Sequence, residues 1–320
     1  MEMIKKTSSN LQKYGVVIAF IVLIVFLSTA SSQFFTTDNM WTLLRQASVN
    51  GLIAFGMTLV ILTAGIDLSV GSTLALSGAL FAGMVVNLHV PIPIAIVIAL
   101  IFGLVLGLVS GFLVGKAKLQ PFIATLVTLT VYRGITLIYT EGRPISNITS
   151  DEYAMSGVLE FIGRGSILGI PVPVIILFIA FVIFYILLNK TVMGRRIYAV
   201  GSNEKTARLS GINTVKVKIF VYAVSGVMSA LAALILVSRL NSAQPTLGIG
   251  YELDAIAAVA IGGTSMEGGR GTITGTLLGV LIIAVLSNGM NILGISSYFQ
   301  DVVKGIVILV AVLSDRKASK

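Results

Sequence analysis

The chain has 320 residues, 56% hydrophobic and 11% charged, with a net charge of +9 and a mean hydropathy of +1.00. A soluble domain carries about 25% charged residues, so the composition excludes an ordinary globular protein and points to a polytopic membrane protein whose cations report orientation rather than a nucleic-acid surface. With no cysteine and one histidine, His89 in a short link before Pro91, disulfides, thiol nucleophiles and Cys- or His-based metal centres are excluded.

A bilayer crossing needs about 20 mainly apolar residues. Ten runs are read as crossings, near 14–31, 49–65, 68–88, 92–115, 121–140, 170–189, 217–238, 253–267, 271–290 and 297–313. The expected fold is all-α, with about ten transmembrane helices in one domain, 1–320. The first run follows Lys5, Lys6 and Lys13 as in a signal peptide, but no small-x-small cleavage site leads into a soluble domain, so it is read as a retained span. An even number of crossings puts both termini on one side. With tails 1–13 and 314–320 inside, fifteen Lys and Arg fall in inner segments and four (Arg45, Arg143, Arg164 and Arg239) in outer ones. That is a strong positive-inside bias.

In chain order, the first unusual stretch is T-A-G-I-D-L-S-V-G-S at 63–72, a broken segment between the second and third spans. Asp67 is the sole acid between Asp38 and Glu141. It either caps a helix beginning at Leu68, accepting from the backbone of Ser69 or Val70, or meets a permeating solute. Arg133 is an odd charge within the fifth span and is expected to pair with an intramembrane carboxylate. The outer loop 141–169 carries Glu141, Asp151, Glu152 and Glu160, and suits the membrane surface or a partner; it is too short for a soluble domain.

From Lys190 to Lys218 the chain holds seven of its 22 Lys and Arg residues and one acid, Glu204. The inner loop proper is 190–216. Ser202 or Asn203 can cap a short helix over Lys205–Leu209, with Glu204 near its N-terminus and Gly211 as a left-handed stop. Such a knob either docks into another protein's groove or is an interfacial turn whose cations meet lipid.

The second broken segment is G-G-T-S-M-E-G-G-R-G-T at 262–272, between the eighth and ninth spans. Offset by 200 residues, Asp67 aligns with Glu267, Gly71 with Gly271 and Ser72 with Thr272, which suggests a parallel internal repeat. The segment fails as a phosphate loop, because Gly269 and Arg270 stand where Lys and Ser/Thr are required. Any ATP-driven activity therefore needs an engine outside this chain.

Small and uncharged polar residues in the spans, among them Asn50, Thr58, Ser225, Asn288 and Asn291, serve helix packing or line a path for a neutral polyhydroxylated solute. Asn288 and Asn291 share a helical face. Together with the two acids of the broken segments, the candidate pathway or gate residues are Asn50, Asp67, Glu267, Asn288 and Asn291. Asp301 and Lys304, three apart, are expected to form an ion pair.

The chain resembles the permease subunits of bacterial ABC-type sugar importers of the ribose class. The carrying residues are Gly56–Ser72, Gln120–Leu126, Gly201–Ile212, Ser242–Val259 and Gly262–Thr272. Permeases for galactose, xylose and autoinducer-2 share much of this pattern. The resemblance implies a homodimer in the bacterial cell membrane that takes a monosaccharide from an extracytoplasmic binding protein and is opened by a separate ATPase subunit. It implies no cofactor on this chain, ATP being bound by the partner, and no catalytic residues. The family's E-A-A-like coupling element maps onto Glu204, Ala207, Arg208 and Gly211, with Lys205 and Thr206 departing from the common pattern. The rival reading is an ion-coupled secondary transporter, for which Asp67 is the one good midplane titratable candidate.

Overall fold

The computed structural model describes residues 17, 18, 20–150 and 152–318. The expected tail 1–13, the start of the first span, Asp151 and the last two residues of the tail 314–320 lie outside the described residues. Helix α1 is Phe20–Ala30. It is followed by α2 (Thr37–Leu62), α3 (Val70–Val86), α4 (Ile92–Gly115), α5 (Pro121–Thr140), α6 (Ser156–Arg164), α7 (Val172–Lys190), α8 (Val192–Ser202) and α9 (Glu204–Leu209). The series ends with α10 (Thr214–Leu240), α11 (Tyr251–Ile261), α12 (Ile273–Ile292) and α13 (Ser297–Ala318). Two short ladders complete it: β1 (Ile145–Ser146) pairs with β4 (Ser242–Ala243), and β2 (Ser166–Ile167) with β3 (Ile170–Pro171). This is an all-α polytopic membrane protein. Helices α2, α4, α5, α7, α10 and α12 are each long and apolar enough to cross a bilayer.

Central α2 and α10 are the most enclosed of these, while α4, α5 and α7 bury only about a third of their apolar windows and turn the rest outward. Lipid is as apolar as leucine, so packing between such helices depends on close approach rather than on escape from water. The sequence supplies it on α4. Gly103, Gly107 and Gly111 recur every four residues and form a flat stripe against α10. A Cβ on Gly226 of α10 would lie 2.9 Å from Gly107 Cα, and one on Gly111 would lie 2.8 Å from Ile219 Cα. Hydroxyls bridge other helix pairs: Thr58 to Thr276 at 2.8 Å and Ser110 to Thr128 at 3.3 Å.

Two expected spans change. The second begins at Thr37 rather than 49, because Thr36 caps it by accepting from the Asn39 amide at 3.4 Å and Asp38 lies in the positive first turn. The eighth is not a full crossing. Helix α11 stops at Ile261, and its 11 residues extend only about 16 Å, half of a hydrocarbon core of about 30 Å. The other half of the crossing is the irregular segment 241–250, where Pro245 and the positive-φ residues Asn241, Gly248 and Gly250 forbid a continuous helix. One end of the bundle carries α8 and α9; α10 runs from there to the opposite end, where α6 and the β1–β4 ladder sit against its C-terminal turns.

Candidate functional site

At the α9 end, local chemistry builds a compact projection. Asn203, rather than Ser202, caps α9 by accepting from the Thr206 amide at 2.9 Å. Gly211, at φ +80°, ends it. The Gly211 amide donates to the Arg208 carbonyl at 3.1 Å and the Ile212 amide to the Ala207 carbonyl at 3.0 Å, the paired closing bonds of a Schellman motif. Ala207 is buried beneath, whereas Leu209 is 82% exposed.

Glu204 ties the helix to its base. Its carboxylate accepts from Lys218 Nζ at 2.6 Å and from the Arg208 guanidinium at 3.1 Å, and Arg208 also donates to Thr214 Oγ1 at 3.2 Å. Partial burial alone would raise the Glu204 pKa. The Lys218 bond and charge, the Thr214 hydroxyl and the Arg208 charge together outweigh it and hold the carboxyl below its ordinary value. The carboxylate is thus ionised at neutral pH. Helix α8, unforeseen from the sequence, is started by Thr191 accepting from the Gly194 amide at 3.1 Å and supports α9 from the side.

The two broken segments read from the sequence meet here. The Gly269 amide donates to the Leu62 carbonyl at 3.0 Å, and a Cβ on Gly268 would lie 2.8 Å from the Ala64 nitrogen. Tyr198 of α8 donates to the Gly271 carbonyl at 2.9 Å; burial pushes its phenol up, so it stays a donor. The aligned acids have different surroundings. Asp67 is 2% exposed and accepts from the Ser69 amide (3.0 Å), the Ser69 hydroxyl (2.6 Å) and Ser225 of α10 (2.9 Å). Glu267 is exposed on the loop surface. Helices restart at Val70 and at Ile273, the latter capped by Thr272.

A third irregular segment, 241–250, was not anticipated as broken. Unpaired carbonyls at membrane depth are costly unless protein groups satisfy them. Arg133 of α5 does so, donating to the Pro245 carbonyl at 2.5 Å and the Leu247 carbonyl at 2.9 Å. The expected ion pair is thus replaced: the guanidinium bonds backbone directly, and the nearby carboxylate, Glu252 of α11, acts on it only through its charge. Gly248 lies backbone-to-backbone with Gly71 in the first turn of α3, its positive φ allowing the approach. Replacing Arg133 with methionine is expected to lower the melting temperature of the detergent-purified chain by several degrees, while lysine, with one compact donor group, restores part of the loss.

Other predicted residues are dispersed. Asn288 and Asn39 exchange amide bonds of 2.8 and 3.1 Å, joining α12 to the first turn of α2. Asn291 is exposed and accepts from Gln300 at 2.8 Å. Asn50 is half-buried on α2. The expected Asp301–Lys304 pair does not form: Lys304 reaches from α13 to Asp254 of α11 at 3.0 Å, and Asp301 is exposed. Asp254 is nearly buried and therefore has the greater need of a counter-charge. At the α6 end, Thr42, Arg45, Gly163, Arg164 and Arg239 line a cavity of about 310 Å³.

Residues 39–312 match the family described as "Branched-chain amino acid transport system / permease component". The chain is 56% identical to the ribose import permease protein of Bacillus subtilis (strain 168), over 97% of this chain and 94% of that one. It is 53% identical to the ribose import permease protein of Haemophilus influenzae, over 98% of each chain. The L-arabinose transport system permease protein of Escherichia coli (strain K12) is 38% identical, over 96% of this chain and 92% of that one. No solved structure matches the chain. A projecting helix on a bundle of apolar spans, joined to identities this high over nearly the full length, leaves one conclusion: the chain belongs to this family of transport-system permease components, among its ribose-class members.

Proposed function

We propose that the chain is the membrane subunit of a bacterial ABC importer that moves D-ribose into the cytoplasm. The observation that carries the reading is α9, a six-residue helix closed at both ends, anchored through Ala207 and Glu204 and presenting Leu209 outward. Its tight caps let a push on the exposed face travel as a rigid unit into α10 through Lys218 and Thr214. In this reading the α9 end is cytoplasmic, as are both termini, and a separate ATPase docks there. That partner binds the ATP, and this chain makes and breaks no covalent bond. A binding protein delivers sugar at the α6 end, and two copies of the chain enclose the path. Asn50 faces the path, Glu267 moves with the α9 end as part of its gate, and Asp67 holds the α2–α3 link to α10. The identities to ribose permeases support ribose; the 38% identity to an arabinose permease makes arabinose the first competitor, ahead of galactose, xylose or autoinducer-2.

The test is reconstitution of the chain with its ATPase and binding protein in proteoliposomes, with a panel of pentoses and hexoses. ATP-dependent uptake selective for ribose is expected; uptake driven by an ion gradient without the ATPase would overturn the reading. Gly211→Pro cannot adopt φ +80° and loses the amide bond to Arg208. It is expected to abolish sugar-stimulated ATP hydrolysis while the chain still reaches the membrane. Glu204→Ala, which frees Lys218 and Arg208, is expected to reduce coupling by about tenfold, the scale of one charge-assisted contact. Full coupled transport by both variants would remove α9 from the mechanism.

A further inference from the structure

A cleft of about 500 Å³ separates α9 from the α4–α5 turn, and the residues around it include Lys118, Gln120, Glu204, Lys205, Arg208 and Lys218. Four cations face one acid. That acid is already bonded to Lys218 and Arg208, so the cleft keeps a large excess of positive charge. Lys118 and Lys205 have no ion pair among the described residues. The first turn of α5 opens on the same space through Gln120 and Pro121. Gln120 makes no side-chain capping bond, so the positive end of a 20-residue helix is left facing the cleft.

The far wall of the cleft is the outer flank of the bundle. Leu119, Phe122 and Ile123 beside it are exposed, and α4 and α5 are among the helices that turn most of their surface outward. Lys116 lies 5.2 Å above the exposed Phe112 ring on the same turn, as an ammonium does at the boundary between acyl chains and headgroups. A ligand for this cleft therefore has an anionic head and apolar tails. Basic pockets between membrane helices at this depth hold phospholipid headgroups.

We propose that the cleft binds the headgroup of one anionic phospholipid, whose phosphate sits between Lys118, Lys205 and the first turn of α5 while its acyl chains lie along Leu119 and Phe122. The lipid braces α9 against the α4–α5 turn and so sets how stiffly a push on α9 is transmitted. The site rests on the membrane reading alone; its effect on transport rests also on α9 as the coupling helix. Measuring binding without the ATPase separates the two.

The full chain, purified in neutral detergent, is titrated with phosphatidylglycerol, phosphatidylcholine and inorganic phosphate, and bound lipid is counted by native mass spectrometry. Phosphatidylglycerol is expected to bind at one tight site and phosphatidylcholine far more weakly. Lys118→Gln with Lys205→Gln should weaken phosphatidylglycerol by about thirtyfold, about fivefold for each lysine beside a phosphate and slightly more where they act together. Arg195→Gln with Arg196→Gln, exposed on α8 outside the cleft, should leave it unchanged. Equal binding of the two lipids, or equal losses in the two double variants, would overturn the site. Phosphate competing as well as the intact lipid would overturn the lipid assignment, and displacement of the lipid on adding the ATPase would mean that a partner segment occupies the cleft. With the site upheld, coupled uptake in liposomes should rise with the phosphatidylglycerol fraction for the wild-type chain and not for the lysine variant.

Discussion

Gly226→Val should leave no monodisperse folded protein after detergent extraction. Helices α4 and α10 meet main chain to main chain, and Gly226 sits against Gly103 and Gly107 backbone. A side chain there has only main chain to displace, so the overpacking cost of about 1–3 kcal/mol typical of a well-packed core is exceeded. In a membrane no burial of apolar surface from water offsets the lost contact. Gly226→Ala should lower the melting temperature measurably, because its single Cβ already meets Gly107 Cα at 2.9 Å. Gly134→Ala in α5 is the control: nothing lies within 4 Å of the added carbon, and stability should hold or rise by about 0.5–1 kcal/mol from helix propensity. Equal behaviour of the valine and control variants would show that the glycine stripe is not what joins α4 to α10.

Asp254→Leu is the second large effect. Removing one member of a buried ion pair costs about 3–5 kcal/mol, and the lower end applies because the Lys304 side chain is 22% exposed and can extend toward water. Helix α13 packs chiefly on α11 and keeps a broad apolar face exposed, so the pair is its main polar tie to the half-helix. The expected result is a lower thermal midpoint with loss of coupled uptake. Replacing both residues with leucine should recover most of the stability, since an apolar pair of similar volume avoids the desolvation penalty. Asp301→Asn should change stability by less than about 0.5 kcal/mol, because Asp301 is exposed and makes no ion pair, and removing its charge only lessens repulsion with Asp254. If Asp301→Asn were as damaging as Asp254→Leu, the pairing would have to be redrawn.

Both effects depend on contacts between residues far apart in the chain, whereas other features of the fold are local. The caps of α9 were legible because they are local: Asn203 and Gly211 act on amides and carbonyls a few residues away. The same is true of Asp67, whose bonds to Ser69 lie two residues along the chain. Helical spacing pairs Lys304 with Asp301, yet its partner is 50 residues away. Asn288 reads as a helix-packing or pathway residue, and its amide partner Asn39, 249 residues distant, carries no local signal. Arg133 was recognised as unusual, but its partners are carbonyls 112 and 114 residues on, and carbonyls carry no sequence signal. The segment 241–250 reads as a connection between the seventh and eighth spans; that it enters the bundle to meet Arg133 and Gly71 depends on residues far away in the chain.

By itself the sequence determined the membrane class, the order of the spans, the side bias of the cations and the capped knob at 204–211. Each depends on composition or on interactions within a turn or two. Only the tertiary structure decided that α11 crosses half the membrane, that Arg133 satisfies the backbone completing that crossing, and that a glycine stripe seats α4 on α10. Those outcomes depend on which distant groups share a low-dielectric space, where an unsatisfied carbonyl or lone charge must find whatever partner the packing brings near.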